Sequence, residues 1–181
     1  MEINTLIVCT IILSFFILSP TSHFTNLLIL LLLSIICVFI EYDTFFKKQN
    51  INHYNKVLYL ILDYIHVFIF LCVMYLISIT IKSNCNLNYL FLLNIFVLIT
   101  LLLFFYFKGC VITLIMYKII DIKNWVNPID RIKYILGIDK NYNMKYKKNR
   151  NTVNDWINGQ YLFVSVVLIL NIYCFFKMKK C

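Results

Sequence analysis

The stretch Val57–Ile81, VLYLILDYIHVFIFLCVMYLISITI, decides the fold of this chain. A helix needs about 20 predominantly apolar residues to cross a bilayer core of roughly 30 Å, and this run exceeds that. Lipid offers no partners to backbone N–H and C=O groups, so an apolar segment of this length is read as a helix that satisfies its own backbone. Only Asp63 and His66 place charge-capable groups inside the run. At a spacing of three they share one helix face. An Asp at bilayer depth costs roughly 2.5–3.5 kcal/mol on insertion scales, which marks either a packing contact or a function.

Working outward, four more apolar runs stand on either side. They are Thr5–Leu18, stopped by Ser19-Pro20; Leu27–Ile40, ended by Glu41; Tyr89–Phe107, ended by Lys108-Gly109; and Tyr161–Phe176, ended by Lys177. The sequence therefore predicts an all-α fold, a polytopic membrane helix bundle of about five transmembrane helices. Residues 1–117 form the membrane domain, with helices near 4–19, 25–41, 57–81 and 88–107 and an interfacial segment at 110–120. Residues 118–159 form a basic loop, and 160–181 the last transmembrane helix with a lysine-rich tail. Pro20 ends the first helix, and the short connection to the second predicts a helical hairpin. Thr5–Leu18 also has the length of a signal-peptide core, but Met1-Glu2-Ile3-Asn4 carries no Lys or Arg, which argues against that reading.

Composition agrees with a membrane location. The chain is 62% hydrophobic, against about 45–50% for a soluble domain. It has no alanine, and its two arginines are Arg131 and Arg150. Ile, Leu, Phe, Tyr, Asn and Lys dominate instead, as in proteins from AT-rich genomes. Such a bias supplies Lys and Asn as readily as Ile, so the uncharged runs are not explained by it. Seven cysteines (9, 37, 72, 85, 110, 174 and 181) are scattered, with no Cys-x-x-Cys pair. Neither a disulfide framework nor a zinc site is expected from that spacing. There is no Asn-x-Ser/Thr acceptor, which removes one signature of an exoplasmic glycosylated loop.

Lysine and arginine in short loops set orientation. With five spans, one side holds Lys47, Lys48, Lys56, Lys118, Lys123, Arg131, Lys133, Lys140, Lys145, Lys147, Lys148 and Arg150; the other holds Lys82, Lys177, Lys179 and Lys180. The N-terminus and the basic loop are thus predicted cytosolic. The tail Lys177-Met178-Lys179-Lys180-Cys181 fits a Lys-x-Lys-x-x endoplasmic-reticulum retrieval pattern, which would demand a cytosolic tail. Lysines that snorkel at a helix end explain the same residues.

Three regions carry candidate chemistry. The intramembrane polar pair Asp63 and His66 reads as a packing contact, with Asn94, Thr100 and Asn171 as available partners, or as a proton or cation relay. Cys110, just past Lys108-Gly109, is a candidate lipidation site, as is Cys181. In the loop, Asn127-Pro128-Ile129-Asp130 reads as a helix start, Gly137 as its stop, and Ile129, Ile132, Ile135 and Leu136 as one apolar face. That is a short amphipathic interfacial helix. Lys145, Lys147, Lys148 and Arg150 behind it suit contact with anionic lipid, at about 1 kcal/mol each. Nucleic acid is not expected as a partner, because a basic juxtamembrane loop already follows from topology.

The Asp63-x-x-His66 helix, followed by a helix leading into Gly109-Cys110-Val111-Ile112-Thr113, resembles uncharacterised small multi-span membrane proteins of large DNA viruses and AT-rich protists. The resemblance covers Asp63 to Leu136 at most and implies a multi-span fold with no activity attached.

The residues show no nucleotide loop, no nucleophile with a base, no zinc spacing and no paired carboxylates; a membrane-embedded acyl or lipid enzyme would need His66 as base, and no partner nucleophile stands at a useful spacing from it. The sequence predicts a non-enzymatic integral membrane protein without cofactor or metal, serving as a structural or accessory component of a membrane complex. Its expected partners are the lipid bilayer and other membrane subunits or further copies of itself. The alternative is a small proton or cation channel or transporter subunit that uses Asp63 and His66.

Overall fold

The computed structural model describes residues 3–19, 22–44, 52–107, 110–120 and 152–178. These are all-α. Six helices follow in order: α1 (Ile3–Leu18), α2 (His23–Thr44), α3 (His53–Lys82), α4 (Leu87–Phe107), α5 (Val111–Ile120) and α6 (Thr152–Met178). Three of them, α2, α3 and α4, are long and apolar enough to cross a membrane. The apolar parts described for α1 and α6, Cys9–Leu18 and Phe163–Met178, are shorter. Five full spans are therefore a finer statement than helix length alone supports. The helix 127–137, the cluster Lys145, Lys147, Lys148 and Arg150, and Cys181 lie outside the described residues.

The helices run past their apolar stretches wherever the flanking residues can cap them. Asn52 caps α3, its side chain accepting from the Tyr54 N–H at 3.2 Å. That carries the helix four residues upstream of Val57, to His53. Asn86 caps α4 by accepting from the Asn88 N–H at 2.9 Å, and Ser22 caps α2 by accepting from the Thr25 N–H at 3.2 Å. Each cap satisfies an orphan N–H of a first turn. At the far end, α6 begins at Thr152, inside the segment 118–159 that the sequence assigns to the loop.

α3 is the centre of the bundle. It packs against α1, α2, α4 and α5, while α6 packs on α4. Its buried residues Tyr59, Asp63, Val67, Leu71, Met74 and Ser78 recur at spacings of three and four and form one inward stripe. On one side Val67 and Leu71 meet Phe16 of α1 and Leu30 and Cys37 of α2. On the other, Ile77 joins Leu90, Leu93 and Val97 of α4 and Val167, Leu170 and Cys174 of α6. Lipid tails are as apolar as Leu, so burial alone does not drive helices together in a membrane. Close packing and hydrogen bonds do, and both occur here. Asn94 and Asn171 bond each other reciprocally, each side-chain N–H donating to the other's Oδ1 at 2.9 Å. Ser78 donates to its own helix at Met74 and across to the Leu13 carbonyl of α1 at 3.4 Å.

The turn between α3 and α4 corrects one expectation. Cys85 and Cys174 form a disulfide with Cα atoms 5.3 Å apart, although the cysteine spacing predicts no disulfide framework. The two are 89 residues apart, so no local spacing announces them. What unites them is the fold: the α3–α4 turn and the C-terminal part of α6 share one end of the bundle. The turn itself is a Schellman motif. Asn84 takes φ 56° and donates to the Ile81 carbonyl, and Cys85 takes φ 65° and donates to the Thr80 carbonyl at 2.9 Å. Asn tolerates the left-handed region that other non-glycine residues avoid, which explains its use where the chain has no Gly. Lys177 adds a second clasp, donating to the Asn84 side-chain oxygen at 2.8 Å and lying over the Tyr173 ring.

Candidate functional site

Depth can now be counted from a fixed end. The clasp at Lys82–Cys85 marks one limit of α3. His66 lies sixteen residues before Lys82, about 24 Å along the helix, and Asp63 about 28 Å. The pair therefore lies toward the His53 end of α3, away from the disulfide.

At that level α5 joins α3. Asn55 donates to the Ile119 carbonyl at 3.2 Å, and His66 Nε2 lies 3.6 Å from Cys110 Sγ. The two contacts fix an antiparallel register along the first turns of α3. By that register Tyr59 lies level with Met116 and Asp63 with Thr113, and all four are buried. The expected interfacial segment 110–120 is thus a helix packed along α3.

Cys110 occupies the N-cap position of α5. Its carbonyl accepts from the Leu114 N–H at 3.0 Å, the first bond of that helix. Its sulfur therefore faces the N–H groups of the first turn, where the helix dipole favours a negative charge. Burial pushes the thiol up. The hydrogen bond and positive charge of His66, with the N–H and hydroxyl of Thr113, outweigh burial and bring it down to about 6. A thiol lowered by a histidine and a helix N-terminus is the environment of a reactive cysteine.

The sequence singles out His66 and Cys110 separately; the structure brings them together across 44 residues. It does not gather a metal set, since no three His, Cys, Asp or Glu side chains converge among the described residues. Asn94 and Asn171, predicted partners for Asp63, bond each other instead. Thr100 bonds the Val97 carbonyl of its own helix.

Two cavities flank the bundle. One, of about 280 Å³, lies at the Lys82 end and is lined by Ser22, His23, Asn26, Tyr75, Lys82 and Tyr89. His23 opens α2 and sits 2.7 Å from the Tyr75 hydroxyl. Lys82 donates to the Ser19 carbonyl, so this polar pocket ties α1, α2 and α3 at one end. The other, of about 160 Å³, is an apolar groove between α3 and α4, lined by Phe68, Ile69, Cys72, Val73, Leu76 and Phe96. It begins two residues beyond His66 and runs toward the middle of α3.

No protein-family model matches this chain, and neither does any curated protein or solved structure.

Proposed function

We propose that this protein is a non-enzymatic integral membrane component with five spans, α1, α2, α3, α4 and α6, serving as a structural or accessory subunit of a membrane assembly. The observation that carries this reading is how the polar side chains of the apolar helices are used. Asn94 and Asn171 bond each other, Ser78 bridges α3 to α1, and Ser34, Thr80 and Thr100 turn back onto their own helices. These groups hold helices in register; they do not line a path. The outward faces are apolar, with Phe91, Leu98, Leu102 and Phe105 of α4 exposed to lipid or to neighbouring subunits.

The orientation proposed is the N-terminus and residues 118–159 in the cytosol and the tail on the other side. Two independent features support it: the lysine and arginine bias, and the disulfide. Disulfides persist in oxidising compartments, and Cys85 and Cys174 share the end that the charge bias assigns away from the cytosol. In this orientation the Lys177 tail reads as an anchor to Asn84 rather than a cytosolic retrieval address.

The competing proposal, a proton or cation path through Asp63 and His66, draws on the complete burial of Asp63. Flux measurements on the full chain in liposomes separate the two. Flux at the empty-liposome level is expected for the native chain, Asp63→Asn and His66→Ala alike. Native flux that Asp63→Asn removes overturns the structural reading in favour of conduction. An impermeant maleimide tests orientation: it should reach Cys85 and Cys174 only after reduction, and from the side opposite the basic loop.

A further inference from the structure

We propose that Cys110 is an acyl-accepting nucleophile, with His66 as its base, which takes a long-chain acyl group from an acyl thioester and lodges the chain in the apolar groove between α3 and α4. This goes beyond a subunit role. It rests on the orientation above only for the side from which the thioester arrives.

Three observations converge on it. The first is the pairing of nucleophile and base, Cys110 Sγ and His66 Nε2 at 3.6 Å, with the sulfur at the N-terminus of α5. That is the arrangement that activates a thiol. The second is position. α4 spans about 31 Å between the disulfide end and Cys110. The free thiol therefore lies a membrane thickness from the oxidised pair, at the boundary where an acyl thioester presents a polar head to water and its chain to lipid. The third is the groove. Phe68 to Leu76 covers about 12 Å of α3, starting beside His66 and leading into the bilayer. Its lining is aromatic and aliphatic, apart from the Cys72 thiol, and is suited to a hydrocarbon chain. Ile69 and Val73 of this lining follow His66 by three and seven residues, on the same face of α3.

The reaction balances without an oxidant or reductant. His66 takes the Cys110 proton, and the thiolate attacks the thioester carbonyl carbon. A bond from that carbon to Sγ forms as the bond to the leaving sulfur breaks. The imidazolium returns its proton to the leaving thiolate, which departs as a free thiol. One thioester replaces another, so the step is reversible.

The test uses the purified full chain in detergent with palmitoyl-coenzyme A, read by mass spectrometry of the intact protein and its peptides. One hydroxylamine-sensitive acyl group on Cys110 is expected, with Cys9, Cys37 and Cys72 unmodified. Cys110→Ser should take none on the peptide that contains residue 110, and His66→Ala should slow transfer there at least tenfold. Because His66→Ala could disturb packing, the Cys85–Cys174 disulfide is checked in the same sample, and His66→Gln is measured beside it. Narrowing the groove by Val73→Trp should slow palmitoyl transfer while leaving acetyl transfer from acetyl-coenzyme A unchanged. Equal labelling of all free cysteines, or native rates in both His66 variants, overturns the proposal. In sealed vesicles transfer is expected from the basic-loop face. Transfer only from the opposite face leaves the site standing and overturns the orientation instead.

Discussion

The two ends of α3 are built from the same residue types and put to opposite use. At the Lys82 end a cysteine is consumed: Cys85 is bonded to Cys174, and Lys177 and Asn84 close over the joint. At the other end a cysteine is kept free and acidified, with Cys110 held between His66 and the first turn of α5. The difference teaches that a cysteine's role in this chain is set by the end of the bundle it reaches. Sequence spacing does not set it. In the orientation proposed above, one end of the bundle faces an oxidising compartment and the other the reducing cytosol. A clasp suits the first and a nucleophile the second.

That contrast can be broken in graded steps. Removing the clasp should have the largest effect. Cys174→Ser, or reduction of the native chain, loses a cross-link spanning 89 residues, worth about 4–5 kcal/mol in the chain-entropy account. A lower melting temperature in detergent, together with a mobility shift on non-reducing gels, is the expected readout. The second step acts on the thiol end. With the Cys110 thiol near 6, its alkylation rate should rise through pH 6 and level off by neutral pH. His66→Ala removes the largest effects that lower it and leaves only the Thr113 bonds against the burial that raises it. The rising limb should move to higher pH, and the rate at pH 7 should fall by roughly tenfold or more. An unchanged profile in His66→Ala would mean that the imidazole does not govern the thiol.

A third step asks how much of the packing is independent of either end. Asn94→Leu leaves the Asn171 amide without its partner in lipid and should destabilise by about 1–2 kcal/mol. The double replacement Asn94→Leu/Asn171→Leu should recover much of that loss. Thermal unfolding of the single and double variants gives the coupling directly; additive losses would mean the pair is not a unit. The smallest effect belongs to the turn. Asn84→Ala places a Cβ without a side-chain bond at φ 56° and should cost about 1 kcal/mol, while Asn84→Gly should change stability by a few tenths.

The helical architecture was legible because run length and backbone chemistry leave lipid-facing segments no other choice. Val57–Ile81 alone announces α3, and Tyr89–Phe107 announces α4 almost to the residue. Helix ends were less legible, because polar residues such as Asn52 and Asn86 both end apolar runs and cap helices. The candidate site was half legible. Asp63, His66 and Cys110 each stand out, yet the pairing of His66 with Cys110 depends on how α5 returns along α3, which no local pattern encodes. A signal was present nonetheless. Counting outward from the Lys82–Asn88 turn puts His66 and Cys110 at similar distances from it, one back along α3 and the other just past α4, with Cys85 in the turn itself. Composition hid this, since a chain so rich in apolar residues makes any single cysteine resemble filler.

The reciprocal amide pair carries a consequence for how α6 is placed. Each of Asn94 and Asn171 both gives and receives, so the pair is complete and specifies one alignment of α4 with α6. Cys174 sits three residues beyond Asn171 on the same helix. A slip by one turn would shift it about 5.4 Å along the helix axis from where its Cα lies 5.3 Å from that of Cys85, outside the reach of a disulfide. The alignment of α6 with α4 is therefore fixed twice, by the reciprocal amides and by a disulfide that only the same register allows.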